Sequence, residues 1–534
     1  MWPRFTLLFS TLSLVLTLTH DAWADPVREV REVREVRDGD RDGDRDAGAL
    51  PTLTFLAASL RARSEEIGRR VQAQIETLRG FSDDPYPAVT RVLFTERDVE
   101  ARAYVRGLME EAGLEVAVDG MGSIIGTWDV YGGEGGEGGE GGEGGEGGVL
   151  VATGSHTDAI PMAGAYDGVV GVLGGIEAVR VLKGVLKGGE TERETERETS
   201  SQQKRVRFQV VMFASEEPTR FGMSCVASRV MAGVLGRGEV EGLRDAAGVG
   251  FGEAAAAAGV DVDVEGVRRA WAGGGVGVGG RHEKRYFVEL HIEQGKQLED
   301  AGLDVGIVTA IAAPASLEVW FEGDGGHAGG QLMEDRHDAS LAAAELALRV
   351  EALVKAAGRD GDGDSLRGAV GTVGAWLVEP NAVNSVPKRV TLGVDVRDVD
   401  AARLGRVVEG VKAGVEEIGR ARGVDAGVVV VNHDLPAVSS GAVVEAVGAA
   451  VGALGLSSKR MVSRAYHDSL FMARVSEMGM IFIPCEGGKS HRVDEYAKEE
   501  DIVRGVQSLA ATMGLLSGLV RDDVGGGGGG HDEL

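Results

Sequence analysis

Residues 149–158 read Val-Leu-Val-Ala-Thr-Gly-Ser-His-Thr-Asp, and this stretch decides how we interpret the fold. Its first five residues are apolar or β-branched, which is typical of a buried strand. The strand leads into a His-x-Asp pair, His156 and Asp158. Because open α/β sheets bind ligands in the crevice beyond the carboxyl ends of their strands, the stretch predicts a functional histidine at such an edge.

Three further segments repeat this pattern. Each reads as a buried strand that ends at or before a histidine or a glutamate: residues 208–214 precede Glu216 and Glu217, residues 286–290 precede His291, and residues 480–485 precede His491. One such histidine alone would more often be structural. Four strands that bring imidazole and carboxylate groups to one edge of a sheet predict a metal site, because Zn, Mn and Co accept these ligands.

Asp167 is predicted to be the fifth ligand. It precedes an apolar pattern of helical spacing that runs from Val169 to Val179, and a carboxylate is favoured at a helix start. In this position it could bridge two metal ions.

Glu216 and Glu217 are adjacent, so we expect them to have different roles. Glu217 is interpreted as a ligand and Glu216 as the general base that faces the nucleophilic water, although the sequence also allows the opposite assignment. Asp158 is expected to support catalysis by holding the second ring nitrogen of His156 with its carboxylate.

Together these motifs resemble a known family. Gly-Ser-His-Thr-Asp at 154–158, Tyr-Asp-Gly at 166–168, Ser-Glu-Glu at 215–217 and Leu-His-Ile-Glu-Gln-Gly at 290–295 are similar to the dinuclear metallo-amidohydrolases of the M20 peptidase family. Within it the chain resembles the ureide branch, from about residue 58 to residue 518, interrupted by inserts. Residues 156–181, 215–233, 311–329 and 461–491 resemble most closely its plant members of the ureidoglycolate type.

The resemblance implies an α/β fold: an M20-type catalytic domain with a mixed sheet flanked by helices, plus an inserted α+β lid and dimerisation domain. It implies hydrolysis of (S)-ureidoglycolate to glyoxylate, ammonia and carbon dioxide, with allantoate or N-carbamoyl amino acids as alternative substrates. It also implies a homodimer with two divalent metal ions per subunit, and it favours Mn²⁺. The metal ligands would be His156, Asp167, Glu217, His291 and His491.

The resemblance further implies a set of substrate-binding residues: Gln294, His327, Asn384, Arg397, Tyr466 and His467. The Arg397 guanidinium suits a substrate carboxylate, although it could instead form a surface salt bridge. His327 lies in a glycine-rich loop and would reach the partner subunit's site to stabilise the oxyanion, or it could be an ordinary loop histidine. Asn384 could equally form a turn.

Tyr466 marks a difference within the branch. Allantoate enzymes typically carry a Gly-Ala-Gly-His-Asp-like run where this chain has Ser-Arg-Ala-Tyr-His-Asp at 463–468. We therefore expect Tyr466 to restrict the pocket to the smaller ureide.

The segmentation follows from motifs and composition. We expect a signal peptide at 1–24, a disordered charged repeat at 25–54, the first part of the catalytic domain at 55–310 with low-complexity inserts at 132–148 and 188–203, the lid at 311–428, the second catalytic part at 429–520, and a Gly-rich tail ending in His-Asp-Glu-Leu at 521–534.

Charge and targeting signals limit the partners. The chain has 84 acidic and 56 basic residues, and its formal charge of −28 disfavours nucleic acid and anionic membranes as partners. The two cysteines, Cys225 and Cys485, could pair, but two cysteines do not make a disulfide framework, and we expect both to be buried and reduced. The signal peptide and the C-terminal retention signal together predict the lumen of the endoplasmic reticulum and its retention receptor.

Overall fold

The computed structural model describes residues 50–130, 148–188, 205–271, 283–358 and 368–523. The expected signal peptide, most of the charged repeat, nearly all of both inserts and the His-Asp-Glu-Leu signal lie outside these residues. The segments below are numbered in chain order.

The described strands form four sheets. Their bounds are β1 Val89–Arg91, β2 Glu115–Val118, β3 Ile124–Asp129, β4 Val149–His156, β5 Ala159–Ala163, β6 Val206–Phe213, β7 Lys284–Ile292, β8 Val305–Ile311, β9 Ala313–Glu322, β10 Gly326–His327, β11 Val370–Glu379, β12 Ser385–Val386, β13 Arg389–Asp398, β14 Asp425–His433, β15 Ala437–Val438, β16 Ser458–Ser463 and β17 Glu477–Ile483.

The described helices precede, separate and follow these strands. Their bounds are α1 Leu53–Arg61, α2 Ser64–Arg79, α3 Glu96–Glu111, α4 Val169–Gly188, α5 Val226–Met231, α6 Arg237–Gly242, α7 Phe251–Ala257, α8 Val264–Trp271, α9 Gln297–Ala301, α10 Ala339–Ala357, α11 Ala401–Arg422, α12 Gly441–Leu454, α13 Ser469–Met472 and α14 Glu499–Ser517. Among the described helices, none combines the length and the apolarity that crossing a bilayer requires.

A mixed nine-stranded sheet carries the catalytic part of the molecule. Its order is β15-β8-β17-β7-β4-β6-β3-β2, with β16 paired to β8. The four adjacent strands β17, β7, β4 and β6 are parallel to one another. These are the four strands that the sequence predicts to deliver ligands, so their carboxyl ends meet at one edge.

Helices cover both faces of this sheet, which confirms the expected fold class. One core contains buried residues of α1, α2, α3, α4, α12 and α14, and the other contains buried residues of α5 to α8 and α13. Because both faces are covered, the central strands are apolar throughout: all eight residues of β4 are buried.

The inserted domain has its own sheet and core. Strands β11-β13-β9-β14 form an antiparallel sheet, and α10 and α11 pack on one face of it. The expected boundary at 428/429 is wrong because it falls inside β14, which pairs with β9 as far as His433 opposite Ala315.

Two outer boundaries also differ from the expectation. Helix α1 begins at Leu53, with the Thr52 side chain accepting a hydrogen bond from the backbone of Phe55, so residues 53 and 54 do not belong to the charged repeat. Thr52 also forms a bridge with Arg521, whose N–H donates to the Pro51 carbonyl. Arg521 therefore belongs to the folded unit rather than to the tail.

Candidate metal centre

The loops that follow three of the ligand strands carry unusual backbone conformations. Ser215 after β6, Gln294 after β7 and His491 after β17 have φ of 61°, 57° and 58°. Left-handed backbone at a residue other than glycine costs about 1–3 kcal/mol and tends to persist at functional sites. These three residues lie at the same edge of the sheet as the candidate ligands.

Two histidines of the cluster have their ring tautomer fixed by main-chain carbonyls. His156 Nδ1 lies 2.9 Å from the Asp158 carbonyl, and His291 Nδ1 lies 2.9 Å from the Ile292 carbonyl. A carbonyl can only accept, so each Nδ1 carries the proton. In the neutral ring each Nε2 then presents its lone pair to the site.

Asp167 lies at the centre of the cluster. Its Oδ1 is 3.1 Å from His291 Nε2 and 3.8 Å from His156 Nε2, whereas its Oδ2 is 3.2 Å from His491 Nε2. His491 Nε2 is also 3.2 Å from Glu217 Oε1. Each of these contacts can be bridged either by a proton on the imidazole nitrogen or by a cation that the nitrogen and the carboxylate oxygen both bind.

The donor set fits two such cations. His156, Asp167 and His291 form one group of potential ligand atoms, and Asp167, Glu217 and His491 form another, so Asp167 is common to both. Imidazole and carboxylate donors in this mixture suit Zn, Mn or Co. The five residues predicted as ligands are therefore brought together.

The two adjacent glutamates occupy different positions. Glu217 belongs to the second ligand group, whereas Glu216 belongs to neither group, and its Oε2 is 3.5 Å from His156 Nε2. The Cys225 thiol lies 3.4 Å from the other oxygen of Glu216. This arrangement favours Glu217 as the ligand and leaves Glu216 for proton transfer.

Asp158 acts differently from the expectation. Its carboxylate is 3.6 Å from His156 Nδ1, too far for a hydrogen bond, and its main-chain carbonyl is the acceptor instead. The carboxylate accepts the backbone N–H groups of Glu217 at 3.0 Å and Glu216 at 3.4 Å. Asp158 therefore fixes the segment that carries both glutamates.

The buried charges perturb one another. Burial raises the pKa of Asp158 to about 6. Burial, with the charges of Glu217 and Asp468, raises the pKa of Glu216 well above its usual range. Burial opposes ionisation of Asp167, but hydrogen bonds with His291 and His491 outweigh it and hold its pKa well below its usual range. A divalent cation would change this balance, because its own charge dominates such a site.

A cavity of about 530 Å³ opens over the cluster, between the catalytic sheet and the inserted domain. Arg397 and Asn432 of the inserted domain and Tyr466 of the catalytic part also line this cavity, and Gln294 lines it beside Asp167. Arg397 donates to Asp395 at 2.8 Å and to the Arg464 carbonyl at 2.9 Å, which fixes its guanidinium group at the cavity wall.

Comparison with known proteins agrees with this geometry. The sequence model that describes peptidase family M20/M25/M40 matches residues 152–514 of this chain. The chain belongs to the M20 peptidase family.

Curated relatives and solved structures of the family are similar over most of the chain. The ureidoglycolate hydrolase of Oryza sativa subsp. japonica is 46% identical over 450 residues, which cover 84% of each protein. That of Arabidopsis thaliana is 46% identical over 459 residues, 84% of this chain and 86% of the relative. A crystal structure of AtUAH in complex with (S)-hydroxyglycine has a TM-score of 0.67 and 44% identity, covering 84% of this chain and 97% of that one.

His467 does not line the cavity of this M20 chain, in contrast to the expectation that it binds substrate. It is buried behind His291, with the ring centroids 4.6 Å apart, and its Nε2 lies 2.8 Å from the Ser463 hydroxyl. Burial lowers the pKa of His467 well below its usual range. A neutral ring in this position supports His291 instead.

His327 and Asn384 lie together, but away from the cavity of their own chain. His327 is in β10, which pairs with β12, and the Ala328 N–H donates to the Asn384 carbonyl at 2.9 Å. Both residues are exposed and neither lines the cavity. Their expected action in a partner's site stays a prediction.

Sequence reasoning missed an ion pair at the junction with the inserted domain. Arg229 donates to both carboxylate oxygens of Asp434, at 2.9 and 2.6 Å, and also to the Tyr466 hydroxyl at 2.6 Å. The Tyr466 hydroxyl contacts Asp434 in turn. No local sequence pattern predicts this ion pair, because its two residues are 205 positions apart.

Both cysteines are buried and unpaired, as expected. Burial raises the pKa of Cys485 to about 12, so this thiol stays protonated.

Proposed function

We propose that the chain hydrolyses (S)-ureidoglycolate to glyoxylate, ammonia and carbon dioxide. The observation that carries the proposal is one cavity lined by four of the five candidate ligands, by Glu216 and by the fixed guanidinium of Arg397. Similarity to two plant proteins named ureidoglycolate hydrolase supports the choice of substrate.

The residues suggest how the reaction proceeds. Arg397 binds the substrate carboxylate and turns the ureido group toward the cluster. Glu216 takes a proton from the attacking water and passes it to the leaving nitrogen. Bound divalent ions supply Lewis acidity toward the ureido carbonyl. The hydroxyamine that remains after loss of carbon dioxide and one ammonia releases the second ammonia to give glyoxylate.

The test is ammonia release from (S)-ureidoglycolate and from allantoate, measured side by side for the metal-loaded protein and for Glu216→Gln. We expect preference for ureidoglycolate and a loss of about 10²–10⁴-fold in the variant. Preference for allantoate would move the chain to another member of the ureide branch. Activity only on N-carbamoyl amino acids would refute the proposed substrate class.

We propose two divalent ions per subunit, with Mn²⁺ as the native metal. The shared position of Asp167 between two ligand groups supports the number, and the sequence resemblance supports the identity. Metal analysis of purified protein, followed by reconstitution of the metal-free protein with Mn²⁺, Zn²⁺ or Co²⁺, tests both parts. One ion per chain at saturation would contradict the number.

We propose a homodimer in which His327 and Asn384 complete the partner subunit's site. Their exposed position on the β10–β12 ribbon, away from the cavity of their own chain, supports this. Mixing inactive His327→Ala with inactive Glu216→Gln should restore activity, because one site of the mixed dimer then has both groups. Absence of recovery in a verified mixed dimer would contradict action between subunits.

We propose residence in the lumen of the endoplasmic reticulum. The apolar run from Phe5 to Leu18 and the His531-to-Leu534 signal support it. A fluorescent protein inserted before the last four residues should label the endoplasmic reticulum, and deletion of those four residues should cause secretion.

A further inference from the structure

A buried carboxylate outside the ligand set connects two of the ligand segments. Glu495 is 2% exposed and lies four positions after His491. Its Oε1 accepts the backbone N–H groups of Tyr166 at 2.9 Å and Asp167 at 3.0 Å. Its Oε2 accepts the backbone N–H of His491 at 3.2 Å. The Glu495 side chain thus joins the segment of His491 to the segment of Asp167, which lies 328 positions before Glu495 in the sequence.

A hydroxyl completes the connection. The Ser490 hydroxyl lies 3.1 Å from Glu495 Oε2 and 2.8 Å from Asp167 Oδ2. The glutamate side chain fills the space above Gly164, where a Cβ would lie 2.3 Å from Glu495 Cβ. Gly164 therefore leaves room for the Glu495 side chain, and the Glu495 carboxyl group accepts hydrogen bonds from three backbone N–H groups.

The segment that carries His491 needs such support. It is an irregular connection between β17 and α14, and the His491 side chain is 46% exposed. His491 adopts left-handed backbone, which costs about 1–3 kcal/mol. The hydrogen bond that the His491 N–H donates to Glu495 can offset part of this cost, because such a bond typically contributes about 0.5–1.5 kcal/mol.

We propose that Glu495 is a positioning residue for the metal centre: it sets the distance between the shared ligand Asp167 and the ligand His491. The inference rests on the proposed metal centre but not on the identity of the substrate. Residues that hydrogen-bond to the ligands of a metal site, and so orient them, typically contribute about 10–100-fold to metal affinity.

The Glu495→Gln variant should affect the binding of one metal ion and not of the other. Its amide oxygen can still accept the N–H groups of Tyr166 and Asp167, but its NH₂ group then faces the N–H of His491. We therefore expect the ion held by Asp167, Glu217 and His491 to bind about 10–100-fold more weakly, while the ion held by His156 and His291 is largely retained.

The experiment titrates metal-free protein with Co²⁺ and follows both stoichiometry and the visible absorption of the bound ion, which reports ligand geometry. Glu177→Gln is the matched control. Glu177 is also a buried carboxylate bound to donors, but it lies about 12 Å along α4 from the start of that helix. The control should bind two ions with the wild-type spectrum.

Two ions bound with wild-type affinity and spectrum in Glu495→Gln would overturn the inference, even if the melting temperature falls. If that variant does not fold, Ser490→Ala replaces it and should weaken the same ion; wild-type binding there would overturn the inference equally. A wild-type chain that binds no Co²⁺ would refute the metal centre itself, whereas activity on another ureide would leave the inference intact.

Discussion

Gly168 lies directly against the imidazole ring of His156. A Cβ at this position would be 2.4 Å from the ring atoms Cδ2 and Nε2, and the Gly168 φ of +66° also favours glycine. The glycine therefore gives the histidine ring the space in which its Nε2 faces the other ligands.

Gly168→Ala should displace His156 and weaken metal binding, with a loss of about 10² in kcat/KM, because misplacement of about 1 Å is sufficient for such a loss. Metal titration and steady-state kinetics measure the two effects. Gly302→Ala is the matched control: its φ is +62°, but no atom lies within 4 Å of the added Cβ. Equal losses in both variants would mean that backbone strain, and not the ring contact, is responsible.

Arg397→Lys should raise KM for ureidoglycolate about 10–100-fold and leave metal content unchanged. A lysine has no planar fork with which to bind a carboxylate through two hydrogen bonds. Arg389→Lys on the same strand is the control, because Arg389 pairs with Glu322 and does not line the catalytic cavity. A change in kcat alone would argue against a role of Arg397 in substrate binding.

Tyr466→Gly should raise the rate on allantoate relative to ureidoglycolate by about tenfold or more, because it removes the ring from the cavity wall. Tyr466→Phe keeps the ring and removes only the hydroxyl that Arg229 and Asp434 hold. It should therefore keep the wild-type preference. An unchanged ratio in the glycine variant would rule out Tyr466 as the residue that sizes the pocket.

Asp158→Asn should lower kcat about 10–100-fold, because an amide cannot accept the N–H groups of both Glu216 and Glu217. Asp119→Asn provides the comparison, since the Asp119 carboxylate also accepts two backbone N–H groups, from Met121 and Ser123, but outside the site. Both of these N–H groups donate to the single oxygen Oδ1, so the amide oxygen of that variant can keep them and kcat should not change. Normal turnover in Asp158→Asn would show that the glutamates do not need this support.

Glu177 should make stability depend on pH. Burial, only partly opposed by Arg70 and Arg180, raises its pKa from 4.5 to about 7. The folded state then binds more protons than the unfolded state between these values, so stability falls as pH rises through this window. At about 1.4 kcal/mol per pKa unit, this titration lowers the free energy of unfolding by on the order of 3 kcal/mol as pH rises through the window.

Glu177→Gln removes this titration. The difference in melting temperature between the variant and the wild type should therefore shift in favour of the variant as pH rises from about 4.5 to 7. A difference that stays constant across this range would show that Glu177 titrates normally in the folded protein.

The sequence alone identified the features that depend on local pattern. Strands β4, β6, β7 and β17 are apolar runs because both faces of the sheet are covered, and α4 follows from its helical spacing after Asp167. The order of motifs also indicated which five side chains would meet, because parallel strands present their carboxyl ends at one edge.

The tertiary structure alone decided what supports those side chains. The Asp158 carboxylate binds the glutamate backbone instead of the imidazole, His467 is buried behind His291, and Glu495 joins the segments of Asp167 and His491. Periodicity cannot predict such contacts, because each depends on the separation of backbones that are distant in sequence. Differences of about 1 Å in that separation determine whether a hydrogen bond forms.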